Sequence, residues 1–364
     1  MTEFRLGELF CGAGGLAIAA KIAQINHKTE KFSITHAWAN DYNKDACETY
    51  RQNIMQNNVT HCDVAKLEME KLPPTDALAF GFPCNDFSAV GEKKGFNGSY
   101  GPLYRYGIEA LEYFRPKWFL AENVRGLCNT HDGEALRVIL KELAATGYDI
   151  VPHLYRFEQY GVPQTRHRII IIGTRKDLKL TFQVPAPLNE PPVTCQEAIE
   201  NPPITDDAPN HEFTKQSPRV VERLQHIKED QNAFTAELPI HLRLRVRGAT
   251  ISQIYRRLNS AKPAYTVTGS GGGGTHIYHW RENRALTNRE RARLQTFPDT
   301  FVFCGPKGSV RRQIGMAVPP KGARIIFEAL LKTFADIPYD HVKPNMETFS
   351  TNKAQSEDKQ TCIK

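Results

Sequence analysis

No stretch of the 364-residue sequence stays apolar for the roughly eighteen residues that a membrane helix needs, which excludes a helical membrane span. Met1 to Gly7 carries no basic-then-apolar opening of a signal peptide, and a cytoplasmic protein is therefore expected. The eight cysteines (11, 47, 62, 84, 128, 195, 304 and 362) include no C-x-x-C pair and no even cadence, which argues for a reducing compartment and against a metal site. There is no collagen repeat. Nor is there the shortage of apolar residues that keeps a chain disordered: 40% are apolar and 24% charged, the composition of a globular protein. The charge excess is small, since 47 basic and 40 acidic side chains leave +7; this suits a polyanionic partner without requiring one.

At this length two lobes, or one large α/β domain with an insertion, are expected. The first 175 residues alternate short apolar runs with amphipathic stretches, the rhythm of βαβ units around a mostly parallel sheet. Strands are predicted at Arg5 to Phe10, Ser33 to Ala39, Asp76 to Phe82, Lys117 to Glu122, Tyr148 to Phe157 and Arg168 to Gly173. Helices are predicted at Ala17 to Ile25, Tyr104 to Phe114 and Glu134 to Thr146, the last closed by Gly147 as a left-handed cap. From Leu178 to Pro209 prolines become frequent and the rhythm stops, which sets a boundary near Arg175. Asn345 to Lys364 is polar and aperiodic, and disorder is expected there.

Several residues at predicted strand ends carry chemistry. Phe10-Cys11-Gly12-Ala13-Gly14-Gly15-Leu16 follows the first strand as a glycine turn into a helix, where backbone N–H groups can meet a nucleotide-like ligand; a plain tight turn is the alternative. Asp41 ends the second strand, where a carboxylate can accept from ribose hydroxyls, and Asp63 follows in a polar turn. Gly12, Gly14, Asp41 and Asp63 describe an adenosine-type site without separating a dinucleotide from S-adenosylmethionine. Cys84 lies just past the third strand and Glu122 ends the next one. A thiol that attacks and a carboxyl that donates a proton are what addition to an electron-poor ring requires, against the plain reading of a small buried thiol and an ion-paired acid. Gln164, Arg166 and Arg168 share one face if this segment is a strand. Arg243, Arg245, Arg247, Arg256, Arg257 and Lys262 form a run from 241 to 262 without an acid, either a solvated face or a contact for a polyanion. The glycines of Ser270 to Thr275 give backbone that another molecule can approach closely.

The ordered set F-C-G-A-G-G-L, G-F-P-C-N-D-F-S, A-E-N-V, Q-T-R-H-R, L-T-N-R-E-R-A-R-L-Q-T-F-P-D and Q-I-G-M-A-V-P-P resembles the DNA (cytosine-5) methyltransferases of bacterial restriction-modification type, over about residues 4 to 330. The resemblance implies a Rossmann-like α/β domain dependent on S-adenosyl-L-methionine, with a smaller, irregular, β-rich target-recognition domain. In these terms 1–175 is the catalytic and cofactor-binding domain, completed by 305–340, and 176–304 is the target-recognition domain and hinge. It implies the cofactor on Phe10, Gly12, Gly14, Gly15 and Leu16, its ribose on Asp41, its adenine near Asp63 and Val64, and Ala317 and Val318 closing over it. It further implies Cys84 as the nucleophile toward C6 of a flipped cytosine, Glu122 as the acid at N3, and Arg166 and Arg168 on the base and the activated intermediate. The DNA-facing residues would be Arg243, Arg245, Arg247, Arg256, Arg257 and Thr266.

Duplex DNA is then the partner of a monomeric enzyme, and a cognate restriction endonuclease acting separately is its expected counterpart. The sequence departs from the family pattern at Asn85, Asp41 and Met316, where Gln, Glu and Asn are usual. Rival readings are an RNA cytosine-5 methyltransferase, although residues 176–285 lack the Cys-Phe-Thr signature of that branch, a nicotinamide-dependent oxidoreductase, for which the glycine fingerprint is incomplete, and an inactive DNA-binding module, which the Cys84/Glu122 pair opposes.

Overall fold

The computed structural model describes residues 1–83, 103–244 and 253–347. The chain divides into two compact units: Met1–Arg156 with His167–Pro187 and Ala323–Lys364, and Phe157–Arg166 with Leu188–Gly322.

The first unit is built on strands β1 (Thr2–Leu9), β2 (Gln24–His27), β3 (Glu30–Asp41), β4 (Val59–His61), β5 (Ala77–Gly81), β6 (Trp118–Val124), β7 (Tyr148–Arg156) and, after a two-residue strand β8 (Gln164–Thr165) in the second unit, β9 (His167–Arg175). Their order is β2-β3-β1-β5-β6-β9-β7, with β4 beside β3. β4, β3, β1, β5 and β6 run parallel, whereas β2, β9 and β7 pair antiparallel, so the sheet is mixed. Helices α1 (Gly15–Ile22), α2 (Lys44–Asn53), α3 (Tyr104–Phe114) and α4 (Glu134–Ala145) alternate with the strands.

Strand β6 shows why the sheet is covered on both faces. Its side chains alternate: Trp118 packs on Phe4 and on Phe327 of helix α9 (Pro320–Phe334), while Phe119 packs on Phe80 and Tyr148. Both faces are apolar, so the central strands read as continuous hydrophobic runs. Burying each such ring contributes roughly 1.5–3 kcal/mol. Short strands β10 (Val184–Pro185) and β12 (His341–Val342) pair at the margin of this unit.

The predicted helix from Ala17 to Ile25 ends earlier, at Ile22, because Gln24–His27 turns back as a hairpin on β3 through Lys28 in a left-handed conformation. Helix α2 escapes the periodicity reading because only Ala46, Cys47, Thr49 and Tyr50 are buried on it; Asn43 caps it by accepting from the Ala46 N–H at 3.0 Å. Glu134–Ala145 is followed, as expected, by Gly147 at φ 93°. In the segment where disorder is expected, Asn345 bonds to both backbone groups of Leu154 and to His153, and residues from 348 on lie outside the described ones.

The second unit is irregular but not β-rich among its described residues. It contains β8 paired with β11 (Ala264–Tyr265), and helices α5 (Cys195–Glu200), α6 (Pro218–Gln225), α7 (Asn288–Leu294) and α8 (Lys307–Met316). With so little ladder, loop carbonyls need other donors, and buried arginines supply them. Arg289 donates to the carbonyls of Pro209, Pro298 and Phe301, and Arg223 donates to that of Leu242 while lying over the Tyr255 ring. An apolar cluster including Leu224, Ile227, Leu238, Leu242 and Tyr278 fills this unit. No described helix of either unit is long and apolar enough to cross a membrane.

Candidate active site

In the first unit the chain leaves β1 through Phe10, Gly12 and Gly14, all at positive φ, before α1 begins at Gly15. The turn is tied from two sides. The Cys11 N–H donates to the Asn40 carbonyl, and the Gly12 N–H donates to Asp41 Oδ2 at 2.8 Å. Asp41 Oδ1 accepts from the Asn43 N–H at 2.8 Å, so one carboxylate at the end of β3 organises both the glycine turn and the start of α2. Burial raises the Asp41 pKa, and those N–H groups oppose the rise. A Cβ on Gly14 would press on Tyr50 and Ile54, whereas one on Gly12 would meet nothing within 4 Å; that side of the turn faces open space.

Asp63 caps a short turn by accepting from the Ala65 N–H, and Val64 beside it is buried, as are Gly15 and Leu16. An exposed ring at Tyr42, directly after Asp41, was not singled out from sequence; an aromatic following the acid at a strand end is the signal that could have found it.

At the edge of the sheet where β5 and β6 end, Gly81 pairs with Glu122 in register, and a Cβ on Gly81 would stand 3.1 Å from Glu122 Oε2. Asn123 Nδ2 donates to the Phe82 carbonyl at 3.2 Å, which fixes the exit of the chain from β5. Cys84, two residues on, lies outside the described residues, as do Asn85, Arg245 and Arg247. Arg168 pairs with Val124 across the strands, two residues from Glu122 on the same face, and its Nε lies 2.8 Å from Glu122 Oε1. Both side chains are largely buried there. Cys11, Cys47 and Cys195 are buried thiols, and burial pushes Cys47 up to about 11 and Cys195 up to about 12, so they are poor nucleophiles. Among the described residues no cluster of His, Cys, Asp and Glu could hold a metal ion.

The segment from Gln164 to Arg168 is not one strand. It breaks at Arg166, which corrects the expectation that Gln164, Arg166 and Arg168 share one face of a single strand. Arg166 is fully buried in the second unit, where its Nη atoms donate to the Val267 and Gly315 carbonyls at 2.9 and 2.8 Å. Gln164 joins this network by donating to the Leu294 carbonyl and accepting from the Val267 N–H, and Gln295 donates to the carbonyls of Ile314 and Ala317. Gly315 allows it: a Cβ there would stand 2.0 Å from the Gly269 nitrogen. These motif residues brace β8, β11 and the ends of α7 and α8. Ala317 follows α8 and Val318 is buried beyond it.

The basic run is less free than its sequence suggests. Arg257 is buried, donating to the carbonyls of His279, Glu282 and Leu224 and to Asn283 Oδ1, which removes it from the DNA-facing set. Arg256 and Lys262 both pair with Asp230, at 3.1 and 3.0 Å, and Arg256 lies over the Tyr265 ring. Arg243 donates to the Leu238 carbonyl, and the Thr266 hydroxyl donates to that of Thr165.

Comparison with known proteins agrees with the sequence motifs. Residues 4–332 match the family model of C-5 cytosine-specific DNA methylases. The Type II methyltransferase M.BbvI of Brevibacillus brevis is 53% identical over 97% of both chains, and M.NgoFVII of Neisseria gonorrhoeae is 38% identical over 90% of this chain and 86% of that one. The fold is similar to that of S. pombe Dnmt2 methyltransferase, with a TM-score of 0.56 at 16% identity over 92% of this chain and all of that one, and to Entamoeba histolytica methyltransferase EhMeth, with a TM-score of 0.62 at 14% identity over 92% and 99%. By the extent of the family match and the identity of its relatives, the chain belongs to the C-5 cytosine-specific DNA methylases and is a DNA (cytosine-5-)-methyltransferase.

Proposed function

We propose that the protein transfers a methyl group from S-adenosyl-L-methionine to C5 of a cytosine flipped out of duplex DNA, at a specific sequence, through a covalent bond between Cys84 and C6. The observation that carries this reading is the Glu122–Arg168 pair at the sheet edge where the chain departs toward Cys84. The first unit fits the cofactor. The open side of Gly12, the Asp41 carboxylate and the exposed Tyr42 ring offer backbone, a hydroxyl acceptor and a stacking face to a nucleoside. When bound, that group supplies an electrophilic methyl on a sulfonium.

The remaining chemistry belongs to the side chains. The Cys84 thiolate adds to C6 while Glu122 delivers a proton to N3, which turns C5 into the nucleophilic carbon of an enamine. Arg168 orients the Glu122 carboxyl and, being cationic, stabilises it after the proton has left. Loss of the C5 proton to a base after methylation supplies the electron pair that forms the C5–C6 double bond and expels the thiolate, and N3 returns its proton to the Glu122 carboxylate. None of this is accessible within a base stack, so the cytosine must leave it.

Recognition of sequence is assigned to 176–304 and chemistry to 1–175 with 305–340, of which 157–166 and 305–322 fall in the second compact unit. The relatives are named Type II methyltransferases; the role proposed here is protection of host DNA from a separately acting endonuclease by a cytoplasmic monomer. The test is transfer of a labelled methyl group to duplex DNA, to tRNA, or to neither. Label in DNA alone, at a fixed sequence, is the expected result, and label in tRNA alone would move the protein to the RNA-directed branch.

A further inference from the structure

One side chain of the second unit is at odds with its neighbours. Arg291, on α7, is 1% exposed, yet neither of its terminal nitrogens has a hydrogen-bond partner among the described residues. Buried Arg289 and Arg257 commit theirs to backbone carbonyls. The acid nearest in sequence, Glu290, is already engaged, accepting from Arg284 at 2.7 and 2.9 Å and from the Thr287 N–H at 2.7 Å.

A second cation stands close by. Arg311, on α8, has a buried Nε that also lacks a partner, and the backbone of Gly271 runs along its guanidinium: a Cβ on Gly271 would stand 3.0 Å from Nε and 3.2 Å from Cζ. Burial, and after it the charge of Arg311, pushes Arg291 down to about 10. Buried His276 feels both arginines and is pushed down to about 4, mainly by its own burial. The two guanidinium groups therefore share a low-dielectric region in which, among the described residues, no acid forms an ion pair with either. A buried charge without a counter-charge is strongly destabilising, so this arrangement gives the folded protein nothing by itself and suits an anion brought from outside.

We propose that Arg291 and Arg311, together with the glycine backbone of Ser270 to Thr275, form a phosphate-binding site that receives a backbone phosphodiester of the substrate DNA. The assignment rests on duplex DNA being the substrate. Planar guanidinium forks match tetrahedral oxyanions by paired N–H donors, and a loop without side chains lets such a group come close. Neither arginine belongs to the basic run of 241–262. The site is a positioning contact that carries no base information.

The test uses the full-length enzyme, Arg291→Met and Arg311→Gln. In chloride buffer Arg291→Met should melt at or above the wild-type temperature, because a flexible apolar side chain replaces a buried unpaired cation. Its affinity for duplex DNA should nevertheless fall about tenfold on specific and unrelated sequences alike, with the slope of log K against log salt smaller by about one. Inorganic phosphate, at constant ionic strength, should raise the melting temperature of wild type but not of Arg291→Met, and should compete with DNA. Phosphate that stabilises without competing would overturn DNA as the occupant. If Arg291→Met melts lower, half-exposed Arg311→Gln decides: a reduced affinity and slope support the site, and unchanged values overturn it. A wild type that binds no duplex would sink the proposed function and the DNA occupant together. A wild type that binds duplex no better than both variants would sink the arginine pair alone.

Discussion

Glu8 lies on β1 in the parallel part of the sheet, between β3 and β5 and two residues before the glycine turn, and is 2% exposed. It accepts from the Tyr50 hydroxyl at 3.0 Å. Burial pushes it up from 4.5 to about 8, against the smaller opposing effect of the Tyr50 bond. The folded protein thus holds this proton more tightly than the unfolded chain does. The associated stability is fully present below about pH 4.5 and is lost as pH rises through about 8. At about 1.4 kcal/mol per pH unit, the change between about pH 5 and about pH 8.5 is on the order of 4 kcal/mol. Glu8→Gln keeps the acceptor for Tyr50 and removes the titration.

The expected outcome is that the variant matches wild type to within about 1 kcal/mol near pH 5 and exceeds it by about 3 to 5 kcal/mol near pH 8.5. Urea denaturation of both proteins at both pH values measures it. Other titrating groups, such as His36 and His153, each pushed down to about 4 by burial, cancel in the difference between the two proteins. A difference that is the same at both pH values would refute the reasoning, because it would show Glu8 to be ionised throughout.

Asp41→Ala should weaken S-adenosyl-L-methionine binding by about 1 to 3 kcal/mol by calorimetry, and should also lower the melting temperature, since Asp41 holds the Gly12 and Asn43 N–H groups; unchanged affinity would remove Asp41 from the cofactor site. Gly315→Ala forces the Thr268–Gly269 backbone to move and should cost about 1 to 3 kcal/mol, with faster hydrogen exchange in the glycine loop. Arg257→Ala should cost about 3 kcal/mol of stability through its orphaned carbonyl partners. Arg256→Ala should cost under about 1 kcal/mol, as expected of an exposed pair, while lowering the salt dependence of DNA binding.

Periodicity located the central sheet well because its strands are apolar and its turns carry glycine and polar residues: α3 spans Tyr104–Phe114 as expected, and β6 extends only to Val124 beyond its predicted end. Glu122 was legible as an acid at a strand end. Its Arg168 partner was legible as a residue but not as an ion pair, since the antiparallel return of β9 that brings them together is a property of sheet order rather than of local sequence. The same limit applies to the basic run. Asp230, which neutralises Arg256 and Lys262, lies 26 and 32 residues before them, and no local pattern announces that contact. Arg257 and Arg166 carry the same side chain as their exposed neighbours, and only burial separates a brace from a surface charge. Among the described residues of the second unit strand pairing is sparse, and Arg289 satisfies loop carbonyls there in place of a ladder, which no local pattern announces.

The most direct measurement of the central claim is denaturing electrophoresis of the enzyme incubated with cofactor and duplex DNA carrying 5-fluorocytosine at the methylated position. Fluorine replaces the proton that must leave C5, so under the proposed mechanism a Cys84 bond to C6 would not be released. A shifted, covalent band for wild type and its loss in Cys84→Ser is the predicted result. A band of equal intensity in Cys84→Ser, or methylation of ordinary duplex by that variant at the wild-type rate, would contradict the assignment of Cys84 as the nucleophile.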